Sequence, residues 1–318
     1  MSIFKLDPAF KDYIWGGTRL RDEYGKKCDY DKVAESWELS CHKDGPSVVA
    51  DGEYKGLTLN EYIEKAGKGV LGKNCERFEN FPILIKLIDA KDNLSVQVHP
   101  DNDYAMRVEG EYGKTEMWYV VDCDEGATLL YGFKHEITKE EFARRIADNT
   151  LLEVTNAVPV KKGDVFFIKS GTLHAIGKGI LIAEIQQNSN TTYRIYDYGR
   201  VGKDGKPREL HVDKALDVTK LAPAEQYPET PVEKKDGYDI KLLSKCEYFT
   251  TYRVNVETKA KLDADENSFN SILVLEGEPV ISGGETVSAK KGESVFISAG
   301  TGKYTVEGKC TFVLTKID

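Results

Sequence analysis

The segment Lys161-Lys-Gly-Asp-Val-Phe-Phe-Ile-Lys-Ser-Gly-Thr-Leu-His174 returns as Lys290-Lys-Gly-Glu-Ser-Val-Phe-Ile-Ser-Ala-Gly-Thr-Gly-Lys303, at an offset of 129 residues counted from 161 to 290. In each copy a glycine turn leads into a short apolar run and a second glycine turn ends it, which is a strand-turn-strand frame. A chain of 318 residues that repeats such a frame is expected to hold two copies of one β-module. The copies differ in chemistry, because the place of His174 is taken by Lys303.

The remaining chain has the same grammar. Ala34-Glu-Ser-Trp-Glu-Leu-Ser40 alternates like a strand, and Ile83-Leu-Ile-Lys-Leu-Ile88 is a nearly continuous apolar strand. Two strands are expected between 97 and 121, separated by Asp101-Asn-Asp-Tyr-Ala-Met106, with further strands over 127–131, 158–168 and 179–185. Helical spacing marks 57–66, 138–148 with Thr138 and Glu141 as a capping box, and a short piece near 213–217. Many short strands with glycine turns point to a barrel or sandwich. The segment 223–235 carries Pro223, Pro228 and Pro231 and is expected to be a linker between domains at 1–222 and 236–318.

Composition narrows the partners. A net charge of −9 disfavours nucleic acid and anionic membrane, although a local basic cluster can still take a phosphorylated metabolite. No run approaches the roughly 18 apolar residues of a membrane span, and the first residues lack the apolar core of a signal peptide. The six cysteines are scattered without a C-x-x-C pair, so free thiols in a reducing, cytoplasmic setting are expected.

Candidate chemistry centres on Ser95-Val-Gln-Val-His-Pro100, where Gln97 and His99 stand two apart and share one strand face. Glu116 opens a strand in Lys114-Thr-Glu-Met-Trp-Tyr-Val-Val121, and His174 follows a Gly-Thr turn directly after another. Each of the five histidines alone is more often a hydrogen-bonded residue than a ligand. Together the four residues offer two imidazoles, a carboxylate and an amide oxygen, a mixed set that zinc accepts with a position left open for water or substrate. Cobalt, manganese or iron(II) would also fit. Lys86 interrupts an apolar run, so it either escapes to a sheet edge or faces a polar cavity. Trp15 and Trp37 are of a type that more often packs in a core than meets a ligand.

These motifs resemble the type I phosphomannose isomerases of the cupin superfamily, in their short bacterial form. The likeness runs through Tyr13-x-Trp-Gly-Gly17, Ala34-Glu-Ser-Trp37, Gln97-Val-His-Pro-Asp101 with Tyr104-Ala105, Lys114-x-Glu-Met117, Gly171-Thr-Leu-His174, and Glu184-Ile-Gln-Gln-Asn-Ser-Asn190 with Arg194. The resemblance implies a mainly β chain of two cupin-type jelly-roll barrels with a few helices, the second lacking metal ligands. It also implies one zinc ion on Gln97, His99, Glu116 and His174, and interconversion of mannose 6-phosphate and fructose 6-phosphate through an enediol.

For that reaction the proton carrier is sought among Lys114, Glu184 and Lys86. Arg194 holds the family's active-site arginine position and is expected to clamp enediolate oxygen or phosphate, since a guanidinium stays protonated. Lys86 and Trp15 are the substrate-binding candidates, with Lys86 expected to serve the phosphate if it faces the cavity. Each has a plainer reading: Glu184 pairing with a lysine, Lys114 solvated. The chain departs from longer members, which have His-Lys-Pro-Glu where it has Gly113-Lys-Thr-Glu116. A base at that histidine does not carry over. Rival readings are another metal-dependent cupin enzyme, a dioxygenase or an isomerase of unphosphorylated sugar, and a non-catalytic sugar-binding module. The expected partner is a small sugar phosphate, and the expected assembly a monomer or weak homodimer.

Overall fold

Three long strands set the layering, because each buries both of its faces. In Ile83–Ala90 the side chains of Ile83, Ile85 and Leu87 enter one core, while Ile88 and Ala90 enter another. Ile180–Gln187 divides in the same way, Leu181, Ala183 and Ile185 against Ile180 and Ile182. Glu116–Cys123 sends Met117, Tyr119 and Val121 to the first core and Trp118 and Val120 to the second. The period of two in side-chain direction thus makes one strand the wall between two cores.

The computed structural model describes residues 2–202 and 205–318. It is mainly β, 40% strand and 14% helix, with antiparallel sheets of eight, six, five and four strands. The six-stranded sheet holds the three strands above and shares its inner core with the five-stranded sheet, through Leu129 and Ile176. Its other face packs on the eight-stranded sheet, where Phe249, Phe269, Leu273 and Phe296 fill the central core. The eight- and four-stranded sheets enclose a third core around Val254, Ile272, Tyr304 and Phe312. Among the described residues no helix is long and apolar enough to cross a membrane.

The sequence repeat is a structural repeat. Asp164 N–H donates to the Lys161 carbonyl at 3.1 Å and Glu293 N–H to that of Lys290 at 2.9 Å, while each carboxylate accepts from the amide at the start of its turn. The strands Val165–Ile168 and Ser294–Ile297 follow, and Thr172 and Thr301 repeat the closing turn. His174 is fully buried and Lys303 is exposed.

Other elements differ from expectation. The first strand, Ile3–Asp7, pairs with Ser294–Ile297 in the eight-stranded sheet, so the chain begins within the sheet of its C-terminal half. Val232–Lys235, inside the expected linker, is a strand paired with Tyr238–Lys245. Residues 101–106 are not merely a separator: Asp101 accepts from the Tyr104 amide and caps a helix over Asn102–Val108. The helices Leu59–Ala66 and Lys139–Ala147 form where spacing places them. Thr58 and Glu61 make a reciprocal capping box, whereas Glu141 turns its carboxylate to Arg145 and leaves only the Thr138 half of its own.

One buried ion pair of the first half is tied to the second. Lys26 Nζ donates to Glu38 at 2.8 Å and to the carbonyl of Gly292 in the repeated turn. Both side chains are buried, and that burial drives the Glu38 carboxyl upward in spite of Lys26. Lys26→Met therefore strands a buried carboxylate and is expected to lower unfolding free energy by about 3–5 kcal/mol. Lys26→Met with Glu38→Leu should recover most of it. Urea unfolding measures both, and an unaffected single variant would contradict the role given to the pair.

Candidate active site

The inner face of the six-stranded sheet is apolar at one end and ionic at the other. Register brings Trp118, Glu184, Lys86 and Trp37 into one row across four strands, with Glu35, Gln186 and Glu116 beside it. Trp118 Nε1 donates to Glu184 at 2.9 Å, and Lys86 Nζ lies 3.2 Å from Glu184, 3.6 Å from Glu35 and 5.1 Å over the Trp37 ring. Of the two places open to Lys86, it occupies the polar cavity: its strand is paired on both sides, so it does not reach an edge.

The five-stranded sheet forms the opposite wall. His174 pairs in register with Gln97, and Gln97 with Arg194, so three site residues share one ladder. His174 gets there through Gly171, whose φ of +84° and close approach to the Val218 carbonyl favour a residue without a Cβ. Gly171 N–H also donates to the carbonyl of His99 at 2.8 Å and ties the two histidines' segments together.

Four sequence-predicted ligands converge. His99 Nε2 and His174 Nε2 are 3.1 Å apart, and they stand 3.6 and 3.3 Å from the oxygens of Glu116. The ligand atoms of these three residues lie within 4.8 Å of one another. The Gln97 amide is 3.4 Å from His174 Nε2, and half a turn about its terminal bond exchanges its nitrogen for its oxygen. His99 Nδ1 faces the Thr191 carbonyl at 2.9 Å and His174 Nδ1 that of Thr172 at 2.8 Å. Each Nδ1 must donate there, which leaves the two Nε2 lone pairs facing one another.

That arrangement could hold a cation. Burial pushes both imidazoles down, His99 well below its ordinary value and His174 to about 4, so neither supplies a proton near neutrality. Both Glu116 oxygens are buried without a well-formed hydrogen bond, although Lys114 Nζ stands 3.1 Å from Oε2. Two buried ammonium groups, Lys86 and Lys114, face three buried carboxylates, Glu35, Glu116 and Glu184, leaving a negative charge uncompensated. A divalent ion on two nitrogens and a carboxylate satisfies the lone pairs and the charge together.

Burial, against Lys114, raises the Glu116 carboxyl to about 7. Burial acts on Glu184 as well, but Lys114 and then Lys86 outweigh it and hold that carboxyl below its ordinary value. Lys86 is raised: its carboxylate neighbours, Glu35 first, overcome desolvation. Arg194 is lowered by burial and then by Arg208, yet remains a guanidinium.

Between the walls lies a cavity of about 240 Å³ lined by Lys86, Gln97, Lys114, Glu184, Arg194 and Trp15. Every candidate named from the sequence either lines this cavity or belongs to the His-Glu-His cluster. Trp15 is buried and also lines it. Sequence reasoning missed Tyr13, Glu35, Asn190, Thr192 and Arg208, which also line it. Tyr13, Glu35 and Asn190 stood inside motifs already noticed. Thr192 and Arg208 have no local signature.

It also missed Glu111, which carries the loop behind His99. Glu111 accepts from Thr191 Oγ1 at 2.8 Å and the Asn190 amide at 3.2 Å, and pairs with His42 at 2.7 Å. Burial opposes its charge, but the hydrogen bonds from His42 and Thr191 hold its carboxyl down at about 2. Gly113 has its own cause. A Cβ there would meet backbone atoms of Asp101 and Asn102 at 2.4–2.7 Å, so this fold has no room for a histidine before Lys114.

Comparison with known proteins agrees with this geometry. Residues 3–126 match the family model described as phosphomannose isomerase type I, catalytic domain, and residues 239–317 that described as mannose-6-phosphate isomerase, cupin domain. Mannose-6-phosphate isomerase ManA of Bacillus subtilis is 39% identical over 312 residues, 98% of this chain and 97% of its own. The mannose-6-phosphate isomerase of Streptococcus mutans is 40% identical over 291 residues, 89% of this chain and 88% of its own. A crystal structure of the mannose 6-phosphate isomerase from Bacillus subtilis has a TM-score of 0.93 at 38% identity, with 99% of each chain covered.

A metal entering this site would compete with a proton for the Glu116 carboxylate, raised to about 7, since the imidazoles are already neutral. The affinity of the stripped protein for zinc is therefore expected to fall by up to about tenfold per pH unit below about 7, and to level off above about 8. Titration calorimetry across that range checks it. An affinity independent of pH would contradict the protonation assigned to Glu116.

Proposed function

The chain belongs to the type I phosphomannose isomerases, which are aldose-ketose isomerases, and from that premise we propose that it interconverts mannose 6-phosphate and fructose 6-phosphate through an enediol, with one zinc ion held by Gln97, His99, Glu116 and His174. The observation that carries this reading is the pair of opposed Nε2 lone pairs beside Glu116, at the wall of a cavity lined by four cationic side chains. When bound, the ion would supply Lewis-acid polarisation of the sugar's C1 and C2 oxygens.

The chain's own residues do the rest. Glu184 and Lys114 face each other at 3.8 Å, an ionised carboxylate that can take the proton from C2 or C1 and an ammonium that can donate to an enediolate oxygen. Lys86, with its charge reinforced by Glu35 and Glu184, holds sugar hydroxyls and keeps Glu184 ionised. Trp15 bounds the sugar, and Arg194 clamps negative charge on enediolate or phosphate. Burial of Lys86, Lys114, Glu116 and Glu184 between the two sheets limits their contact with bulk water, which strengthens each of these contacts.

Within this reading the catalytic cupin-type barrel lies within 1–222, 223–235 leads from it through the strand Val232–Lys235 into the second half, and 236–318 form a second barrel without metal ligands, whose sheet the strand Ile3–Asp7 joins. The enzyme would act in the cytoplasm as a monomer or weak homodimer.

Coupled turnover of fructose 6-phosphate is expected, lost with a chelator and restored by zinc; activity indifferent to chelation would contradict the metal's part. His174→Ala should remove metal and activity together, and stoichiometric zinc retained by that variant would overturn the ligand set. Arg194→Ala should keep zinc while lowering turnover by about 100-fold, whereas wild-type kinetics would exclude Arg194 from the site.

A further inference from the structure

The cations around the cavity fall into two groups. Lys86 and Lys114 each have carboxylates within 4 Å on the sheet floor, Glu35 and Glu184 for one, Glu116 and Glu184 for the other. At the other end stand three guanidiniums, Arg194, Arg200 and Arg208, and one buried carboxylate, Asp197, which pairs with Arg200 and Arg208. Arg194 has no carboxylate partner among the described residues; it donates to the Glu209 carbonyl at 2.9 Å, and its buried Nε has no partner. The Glu209 carboxylate itself is 83% exposed.

Asp197 fixes the geometry of this end. Arg208 donates to it twice, Nε to Oδ2 at 2.8 Å and an Nη to Oδ1 at 2.6 Å. Arg200 donates to the same Oδ1 and reaches the Asn93 carbonyl, which ties the loop after 197 to the strand end that leads to Ser95 and Gln97. A side-on pairing uses one edge of the Arg208 fork and leaves the remaining N–H groups for a second acceptor. Arg208 is thus pre-set with that free edge among the groups lining the cavity.

We propose that Arg208, together with Arg194, forms the subsite for the sugar's dianionic 6-phosphate, with Asp197 as the positioning residue that holds the Arg208 fork toward the cavity. This rests on the phosphosugar reading above and deepens it. The charge supports it: among the described residues this end sets Arg194, Arg200 and Arg208 against the one carboxylate of Asp197, which suits a group with two negative charges, while the sheet floor, already negative, suits the neutral polyol and the cation. The arrangement also orients the substrate, with its phosphate by Arg194 and Arg208 and its C1–C2 end toward Lys114, Glu184 and the proposed metal ligands.

The test uses the zinc-loaded full chain, steady-state kinetics on fructose 6-phosphate, and calorimetric titration with inorganic phosphate, which needs no turnover. Arg208→Ala is expected to raise both KM and the dissociation constant for inorganic phosphate about tenfold or more, with a smaller fall in kcat. Arg208→Lys should recover only part, because it restores charge without the fork. Asp197→Asn should shift the same two constants in the same direction by a smaller factor. Arg208→Gln serves if the alanine variant does not fold. Constants within twofold of wild type in folded Arg208 variants, or wild type that does not bind phosphate, would overturn the subsite. Phosphate binding that depends on Arg208 without turnover of fructose 6-phosphate would instead overturn the isomerase reading and leave the subsite standing.

Discussion

Two imidazoles held with their lone pairs 3.1 Å apart, against a buried carboxylate, are the constraint around which the first half of this molecule is arranged. Left alone, the three groups repel one another and have lost the water that would solvate them. They stay because each is pinned from behind: His99 by the Thr191 carbonyl, His174 by the Thr172 carbonyl, Glu116 by its place in a paired strand. The pins are themselves anchored, Thr191 through Glu111 and Thr172 through the turn at Gly171. So many contacts behind opposing lone pairs make a site that could hold a cation between them.

The sheets turn this local demand into a cavity. Because three long strands bury both faces, their inward residues can change from apolar to ionic along the strand without loosening the outer core. The same Ile180–Gln187 strand supplies Ile182 to one end of the inner face and Glu184 and Gln186 to the other. The second half stiffens the wall from behind with Phe249, Phe269 and Phe296. It has kept the strand-turn-strand frame but placed exposed Lys303 where a ligand would be.

Much of this was legible in the chain, for reasons that differ by residue. Gln97 and His99 announce a shared face through their spacing of two, and His174 through a glycine turn after a strand. The register that carries His174 to Gln97 is a matter of long-range pairing, so spacing could suggest the ligand set but not its closure. Lys86 posed a choice that only the sheet order resolves. The helix at Asn102–Val108 was hidden because its cap, Asp101, sits in a motif read for other purposes. Arg208 lies in a polar, glycine-rich loop without periodicity and Thr192 just before the strand Tyr193–Tyr196, and only the folded chain brings them to the cavity.

The most direct test is anomalous diffraction at the zinc edge from crystals of the purified protein. A single peak bonded to His99 Nε2, His174 Nε2, Glu116 and the Gln97 oxygen, with an open position toward Lys114 and Glu184, is the predicted result. A clear map without a peak between the two imidazoles, or with a proton-bridged pair there, would contradict it.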